Sequence, residues 1–453
     1  MRETTRLGLG DVHEKRLATD VGAITVSDGS RTAGFSWSGL LHILSSNVGA
    51  NVAGFASGVL MARVLGPEGR GLYQTGALLW ALVPGILSLS LGTAVAISVR
   101  RPPRAWYLKT SAILTVAGML IFWALYCVGL IPMWMAIVFS STALGFMTSD
   151  LVQGALRRSE RYGALAAFRW IDVGGGAAVV VLLAAFGSLT PITAVIALCS
   201  TTLVAVAVST LQLARSHAVD STSQFRWDGV ASIHSGTILR IFSSWTDQLL
   251  IAALLGPAAL GLYAIANAVA TQFLVLPAAV NTVLLRQAHV SAERGLSALR
   301  TFTGALFWTA LLASSVFFVF GHIFFGLIFG EAFSSSGRIA AGLVFASLFA
   351  GLLLMAETYL IARGDARFAA SARLWSVPAL LVSGTILAVT RDLTLAVIVP
   401  ISANVVPFIL ILLRISKTTR TPIYSFFTLP SIRTMRVLAT RAKPRNNNDH
   451  VSL

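Results

Sequence analysis

ARVLGPEGRGLY, at residues 62–73, returns as AALLGPAALGLY at residues 252–263. Seven of the twelve positions are identical at a constant offset of 190 residues, among them Gly66/Gly256, Pro67/Pro257, Gly71/Gly261 and Tyr73/Tyr263. In each copy a long apolar segment ends at Leu-Gly-Pro and another begins at Gly-Leu-Tyr, which is typical of a tight turn between two helices. We therefore predict a duplicated unit whose two copies form hairpin tips at one face of a membrane. Each tyrosine is expected at the bilayer surface, with its ring buried and its hydroxyl in contact with water.

The composition is that of an integral membrane protein. Of 453 residues, 56% are hydrophobic and only 11% are charged, and the mean hydropathy is +0.78. Because about 20 apolar residues cross a bilayer once, the apolar segments predict twelve membrane helices. They are expected near residues 38–63, 72–98, 106–131, 133–156, 163–187, 191–214, 229–255, 262–288, 300–327, 338–362, 368–389 and 393–414. The repeat divides them six and six, which predicts an all-α membrane protein with two six-helix repeats around a central cavity.

The same pattern divides the chain into five segments. They are a polar cytoplasmic tail (1–34), a first six-helix bundle (35–214), a cytoplasmic linker (215–228), a second six-helix bundle (229–414) and a basic cytoplasmic tail (415–453). A second correspondence, Arg158 and Trp170 with Arg363 and Trp375, has an offset of 205 residues. The second half therefore holds about fifteen extra residues, most of which we expect between Phe329 and Arg338.

Lys and Arg are distributed unequally between the two faces of the predicted bundle. With both termini in the cytoplasm, only four of the 34 basic residues fall in connections on the outer face: Arg63, Arg70, Arg338 and Arg391. This asymmetry follows the positive-inside rule and supports both the even helix number and the orientation. The net charge of +16 has the same origin, together with attraction of the tail to anionic lipids, so we expect membrane lipids and no nucleic acid as partners.

No motif for catalysis or cofactor binding stands out. The sequence has no nucleotide-binding loop, no cluster of metal ligands and no Ser-His-Asp arrangement, and no outer connection is long enough to house an active site. We therefore predict a protein that is not an enzyme and holds no metal or cofactor. Function is expected instead from ionisable residues inside helices, since these are costly in a membrane and usually face a cavity or a partner.

Two acid–arginine pairs occupy equivalent places in the two halves. Asp150 and Arg169 flank the turn near residue 160, and Glu357 and Arg373 flank the turn near residue 365. Adjacent antiparallel helices would hold the members of each pair at the same depth, so we predict two structural clasps, with a transport role as the alternative. Asp172, three residues after Arg169, would join the first clasp or take part in ion coupling.

Arg240 and Asp247 lie seven residues apart on one face of the seventh predicted helix. Their repeat-equivalent positions hold Ala50 and Ser57, so this pair breaks the internal symmetry. An arginine near the middle of a membrane helix could bind a phosphate or pyrophosphate through its planar set of donors. Asp247 could orient that arginine or bind a proton or sodium ion. The alternative is a salt bridge between helices that contacts no substrate.

Asn47 and Asn51 lie four residues apart on one face of the first predicted helix, among several glycines. Small residues permit close helix packing, and amides can form hydrogen bonds across such an interface. The amides are therefore predicted either to hold helices together or to face Arg240 across a central cavity.

The duplicated six-helix halves and the tips LGPEGRGLY and LGPAALGLY make this chain similar to the polysaccharide-repeat-unit flippases. These belong to a superfamily that also contains multidrug-and-toxin exporters and peptidoglycan-precursor flippases. The resemblance covers residues 35–414 and is clearest at the end of the first helix and at Trp245-Thr246-Asp247-Gln248-Leu249-Leu250. The N-terminal extension and the long basic tail depart from the family pattern.

The resemblance implies a substrate, a place and partners. The substrate would be a polyprenyl-pyrophosphate-linked oligosaccharide, moved across a bacterial inner membrane by alternating access. A polysaccharide polymerase and export machinery would be the partners. Arg240 is the residue expected to contact the pyrophosphate, and Arg63, near the outer end, is a second candidate. A multidrug exporter or a peptidoglycan-precursor flippase of the same fold is the alternative, followed by a membrane glycan polymerase or ligase.

Overall fold

The computed structural model describes residues 37–97, 103–159, 161–214, 230–275 and 291–429, with single positions between 277 and 288. In chain order, the α-helices of these residues are α1 (Trp37–Leu87), α2 (Leu91–Ile97), α3 (Arg104–Cys127), α4 (Met133–Arg158), α5 (Tyr162–Arg169), α6 (Gly175–Ala185), α7 (Pro191–Ala214), α8 (Val230–Leu254), α9 (Gly256–Ala270), α10 (Ala292–Phe329), α11 (Ser336–Ala362), α12 (Ala366–Leu374), α13 (Ser376–Thr390) and α14 (Ile398–Thr419). By packing, residues 1–41 and 42–453 are two units, and all structure described below belongs to the second. The predicted tail 1–34 and linker 215–228 lie outside the described residues.

The described helices account for twelve membrane crossings. Ten helical segments are long and apolar enough to cross a membrane. One of them, residues 48–87 of α1, supplies two crossings because Gly66 breaks the helix with φ 66° and ψ −178°. The predicted seventh helix, α8, is not one of the ten, but its 25 residues are enough for the twelfth crossing. The predictions of an all-α membrane protein and of six crossings in each half are therefore confirmed.

Both glycines of the duplicated tips have the backbone conformation that the turn requires. Gly66 and Gly256 have φ values of 66° and 83°, which a residue without Cβ adopts at little cost. We call the end of the molecule that carries these two glycines the tip end and the opposite end the basic end. A hydrophobic core at the tip end joins the halves, with Ala62 and Leu78 from the first and Ile251 from the second.

The tyrosines of the two tips differ from the prediction. Tyr263 is fully buried in the core at the tip end and its hydroxyl donates to Asp247, so the prediction of a water-exposed hydroxyl is wrong for this copy. Tyr73 is partly buried, and the guanidinium of Arg70 lies 4.7 Å from the centre of its ring. Both tyrosines therefore contact other side chains of the protein, Tyr263 through its hydroxyl and Tyr73 through its ring.

The extra residues of the second half extend a helix. α10 has 38 residues, whereas its counterpart α3 has 24. The connection that follows α10 holds only a short 3-10 turn, Glu331–Phe333, before α11 begins at Ser336. The expected long connection between Phe329 and Arg338 is therefore wrong. A helix of this length spans about 57 Å and projects beyond the bilayer.

The described beginning of the predicted C-terminal tail packs on the bundle. α14 continues to Thr419, and a 3-10 turn follows at Ile423–Phe426. Phe426 is fully buried, and the indole nitrogen of Trp308 in α10 donates to the carbonyl of Phe427 at 2.9 Å. Residues 415–429 thus hold the basic ends of α10 and α14 together.

Candidate functional site

Arg240 lies on an exposed face of α8, opposite the exposed apolar side chains of the same helix. Phe242 and Leu249 are exposed apolar side chains of the same helix. At about 100° per residue they lie roughly 180–200° around the helix from Arg240. Ser244, which is exposed too, lies only about 40° from it. The polar and apolar exposed faces are therefore opposite one another, as expected where one faces a water-filled space and the other faces lipid.

The guanidinium of Arg240 makes no hydrogen bond or ion pair with any described residue. Asp247 does not pair with it, although both lie near one face of the helix. The salt bridge that was the alternative to a cavity residue is therefore absent from the described contacts. A cation inside a membrane helix is costly unless water, a ligand or an opposite charge solvates it.

The two halves differ at the position of Arg240, which is exposed in the second half and buried in the first. Its repeat-equivalent residue, Ala50, is fully buried. On α1 the corresponding face packs closely on the helix that follows α5: a Cβ on Gly49 would lie 2.5 Å from Trp170, and one on Gly54 would lie 3.2 Å from Val173. No such cover lies over Arg240 and Ser244, because both are exposed.

Asp247 is buried, and one of its oxygens is unpaired. The residue is 5% exposed, and the hydroxyl of Tyr263 in α9 donates a hydrogen bond to its Oδ2. Oδ1 is also buried and accepts no hydrogen bond from the described residues. A buried carboxylate with a vacant acceptor position can bind a proton or a cation, because either one reduces the cost of burying the charge.

Arg63 is bound to the second half through backbone atoms. Its Nε donates to the carbonyl of Ile328 at 2.8 Å and its Nη2 to the carbonyl of Leu327 at 2.5 Å. These carbonyls belong to the last turn of α10, where carbonyl groups lack helical partners. The predicted contact between Arg63 and substrate therefore competes with a contact that joins the halves at the tip end.

Asn51 and Arg169 are brought together. Arg169 Nη2 lies 3.5 Å from Asn51 Oδ1, which is a long hydrogen bond, and Arg169 Nε is buried with no partner among the described residues. Asn47 lies in α1, but its side chain is outside the described residues. That Asn47 faces Arg240 stays a prediction. Asn51 instead contacts Arg169, which belongs to the same half of the protein.

The first predicted clasp, between Asp150 and Arg169, does not form. The Oδ2 of Asp150 accepts from the backbone N–H of Gly92 at 3.0 Å, in the first turn of α2. That N–H needs an acceptor because the left-handed residues Leu89 and Ser90 end α1 just before it. Asp150 thus caps a helix instead of pairing with Arg169.

Arg373 and Glu357 make a two-point contact between α12 and α11. Arg373 Nε lies 2.7 Å from Glu357 Oε1, and Nη2 lies 2.8 Å from Oε2. The two side chains are only 16% and 13% exposed. This geometry suits a structural clasp, the role predicted for the pair.

Asp172 lies in a five-residue π-helix, Trp170–Gly174, between α5 and α6. It is 8% exposed, and Thr202 of α7 donates to its Oδ1 at 2.5 Å. It makes no ion pair with Arg169 among the described contacts, so the proposed extension of the first clasp is absent there. Single π turns inside α-helices occur frequently at functional sites.

Sequence reasoning missed the partners of these residues. Tyr263 and Asp247 lie at equal distances from the turn at Leu255, which was a readable signal for neighbours on antiparallel helices. Thr202 has no comparable signal. Gln74 and Gln248 were also missed: Gln74 Nε2 donates to Gln248 Oε1 at 2.9 Å and connects the halves beside the core at the tip end.

Three solved structures share this fold. The lipid II flippase MurJ in an inward closed conformation has a TM-score of 0.64 at 12% identity, over 89% of this chain and 93% of that chain. An inward-facing multidrug resistance MATE family transporter of the MOP superfamily has a TM-score of 0.60 at 13% identity, over 82% and 96%. A MOP superfamily transporter from Pyrococcus furiosus, described by a reverse polarity of its binding pocket, has a TM-score of 0.51 at 13% identity, over 84% and 94%. No protein-family model and no curated protein matches the sequence.

Proposed function

We propose that this protein is an alternating-access transporter that moves a polyprenyl-pyrophosphate-linked oligosaccharide from the cytoplasmic to the outer face of a bacterial cytoplasmic membrane. The basic end, with both termini, faces the cytoplasm. The observation that carries the proposal is Arg240, an exposed guanidinium without a hydrogen bond or ion pair to any described residue, on the face of α8 opposite the exposed Phe242 and Leu249.

The chemistry of Arg240 suits a pyrophosphate. A guanidinium presents a planar set of donors that matches two phosphate oxygens at once. Ser244, one turn further along the same face, adds a hydroxyl. The anionic group would bind beside Arg240 and Ser244 while the polyprenyl chain stays in the bilayer.

The contacts between the halves supply the conformational part of the proposal. At the tip end the halves are joined by the Arg63 contacts to α10, by Gln74 with Gln248 and by the shared core. In a repeat-built transporter the halves rock about a central site, so these contacts would separate when the site opens outward. The fold shared with MurJ and MATE transporters supports such a cycle.

Asp247 and Asp172 are the proposed ion-coupling residues. Both carboxylates are buried, and each accepts a hydrogen bond from one hydroxyl-bearing side chain. A proton or sodium ion bound there would link substrate movement to a gradient. Asp247, with its unpaired oxygen, is the stronger candidate.

A multidrug exporter is the second candidate. The buried Asp247 beside Tyr263 would suit a cationic substrate, and the MATE neighbours share the fold. Arg240 disfavours this alternative, because a cation in the binding space repels cationic drugs. A glycan polymerase or ligase ranks below both.

Depletion in the native cell tests the proposal. Removing the protein should cause a complete lipid-linked repeat unit to accumulate on the cytoplasmic face, with loss of surface polysaccharide. The polymerase and export machinery, as proposed partners, would then lack substrate. An unchanged pool of lipid-linked glycan, together with increased sensitivity to cationic drugs, would favour the exporter.

A further inference from the structure

A second basic site lies in the first half, away from α8. A cavity of about 490 Å³ opens at the basic end between α1, α4 and α5. The polar residues among the described part of its lining are Ser46, Gln153, Arg157, Tyr162 and Arg169, and none of the described lining residues is a carboxylate. Its volume is in the range of small-ligand sites.

The two arginines of this cavity make few hydrogen bonds to the described residues. Among the described residues, Arg157 Nη2 reaches only Gln153 Oε1, at 3.4 Å. Arg169 Nη2 reaches only Asn51 Oδ1, at 3.5 Å, and its buried Nε has no partner among the described residues. Two guanidiniums with long or missing contacts are the arrangement expected of a site that an anion completes.

The nearby acids are already bonded to other groups. Asp150, on the same helix as Arg157, accepts from the Gly92 N–H, and Asp172, close to Arg169 along the chain, accepts from Thr202. Asp172 is near enough to Arg169 to attract it electrostatically, but neither acid makes a direct ion pair with the two arginines among the described contacts.

The surroundings suit a phosphate that carries a lipid chain. Arg157 is exposed, so the cavity opens to the surface at the basic end. Trp170, next to Arg169 in the chain, is 47% exposed. The apolar chain of a lipid whose anionic group binds in the cavity could lie against this ring.

We propose that this cavity is a loading site, where the pyrophosphate of the lipid-linked substrate binds before it reaches Arg240. This proposal rests on the function proposed above. It adds a second pyrophosphate site, formed by Arg157 and Arg169, that works independently of α8.

The test uses the full-length protein in nanodiscs of phosphatidylcholine, with radiolabelled geranylgeranyl pyrophosphate as the probe in a scintillation proximity assay. The Arg240→Ala protein should still bind the probe. Adding Arg157→Gln and Arg169→Gln should weaken that binding at least about tenfold, because each charged hydrogen bond contributes roughly 1.5–3 kcal/mol. Arg294→Gln, an exposed arginine on α10, is the matched control and should have no effect.

Two variants guard against misfolding. Arg157→Gln alone changes an exposed side chain and should weaken binding by itself, whereas Arg169→Lys keeps the charge and should retain part of the binding. Melting temperature and gel filtration check that each variant is folded.

The remaining outcomes separate the two proposals. If Arg240→Ala alone removes all binding, or if the triple variant binds normally, the loading site is overturned and the proposed function stands. If the wild-type protein binds no prenyl pyrophosphate, the proposed function itself fails. Equal affinity for inorganic pyrophosphate would assign the cavity to a free anion, and competition by phosphatidylglycerol would assign it to bulk lipid; either result overturns a substrate-loading role.

Discussion

Gly71 lies against the backbone carbonyl of Pro257, so closely that a Cβ at Gly71 would be 1.7 Å from the carbonyl oxygen. The relationship is reciprocal, because a Cβ at Gly261 would be 1.9 Å from the carbonyl oxygen of Pro67. The residues that repeat at an offset of 190 thus contact each other across the two halves. Their identity follows from this packing, since only glycine allows the backbones to approach at both points.

Gly71→Ala should lower the stability of the protein by about 1–3 kcal/mol, because the added methyl group forces the two tips apart. The melting temperature in detergent measures this, and Gly261→Ala should give a similar shift. Gly163→Ala is the control, since nothing lies within 4 Å of a Cβ at that helical position. Equal melting temperatures for Gly71→Ala and Gly163→Ala would show that the tips do not pack as described.

Arg63→Gln should separate the tip ends of the two halves, because it removes the donors to the last carbonyls of α10. Spin labels at Val64 and Leu327, both exposed, would report the change as longer distances in pulsed electron resonance, after replacement of Cys127 and Cys199. Arg338→Gln, an exposed arginine of α11 near the same end, should leave the distances unchanged. An identical distribution in Arg63→Gln would exclude a gating role for this contact.

Arg240→Ala should abolish transport of the lipid-linked oligosaccharide while the protein stays folded in the membrane. The exposed side chain contributes no contact to the described fold, so stability should change by less than about 0.5 kcal/mol. Arg240→Lys should keep part of the activity, since it retains the charge but loses the planar set of donors. Surface polysaccharide in complemented cells measures transport, with Arg294→Ala as the control. Normal transport by the Ala variant would remove Arg240 from the substrate site.

Asp247→Asn should uncouple transport from the ion gradient. Asn keeps the volume of the side chain and can still accept the Tyr263 hydrogen bond, but it cannot take up a proton or neutralise a sodium ion. Proteoliposomes with an imposed proton or sodium gradient would measure the loss. Tyr263→Phe is the partner variant: it should cost about 1–3 kcal/mol of stability, because Asp247 then loses its hydroxyl donor. Gradient-driven transport at wild-type rates in Asp247→Asn would exclude coupling through this residue.

Glu357→Ala should destabilise the second half by roughly 3 kcal/mol, because it leaves the largely buried Arg373 without its partner. Asp150→Asn tests the contrast between the halves. Asn can still accept from the Gly92 N–H, so its cost should be smaller. Thermal unfolding of both variants compares them, and the exchanged pair Glu357→Arg with Arg373→Glu should recover part of the loss. Equal stabilities would argue against a clasp at Glu357 and Arg373.

The partners of the candidate residues followed from sequence only where symmetry or spacing allowed it. Glu357 and Arg373 flank a short turn, so antiparallel helices bring them together. Asp150 and Arg169 have the same spacing, but an available N–H at Gly92 competes for the acid. The Gly92 N–H is available as a donor because the left-handed residues Leu89 and Ser90 separate α1 from α2, so Gly92 lies in the first turn of a new helix. Nothing in the apolar pattern predicts a break there.

The sequence by itself determined the number of crossings, their division into two sets of six and the positions of the two tips. These depend on chain length, apolar content and glycine conformation, which are local properties. Only the tertiary structure decided that Tyr263 reaches Asp247, that Arg63 binds the end of α10, and that Arg240 is exposed while Ala50 is buried. Such contacts depend on how each helix is rotated about its axis and which neighbour covers it, and an almost uniformly apolar helix carries little record of either.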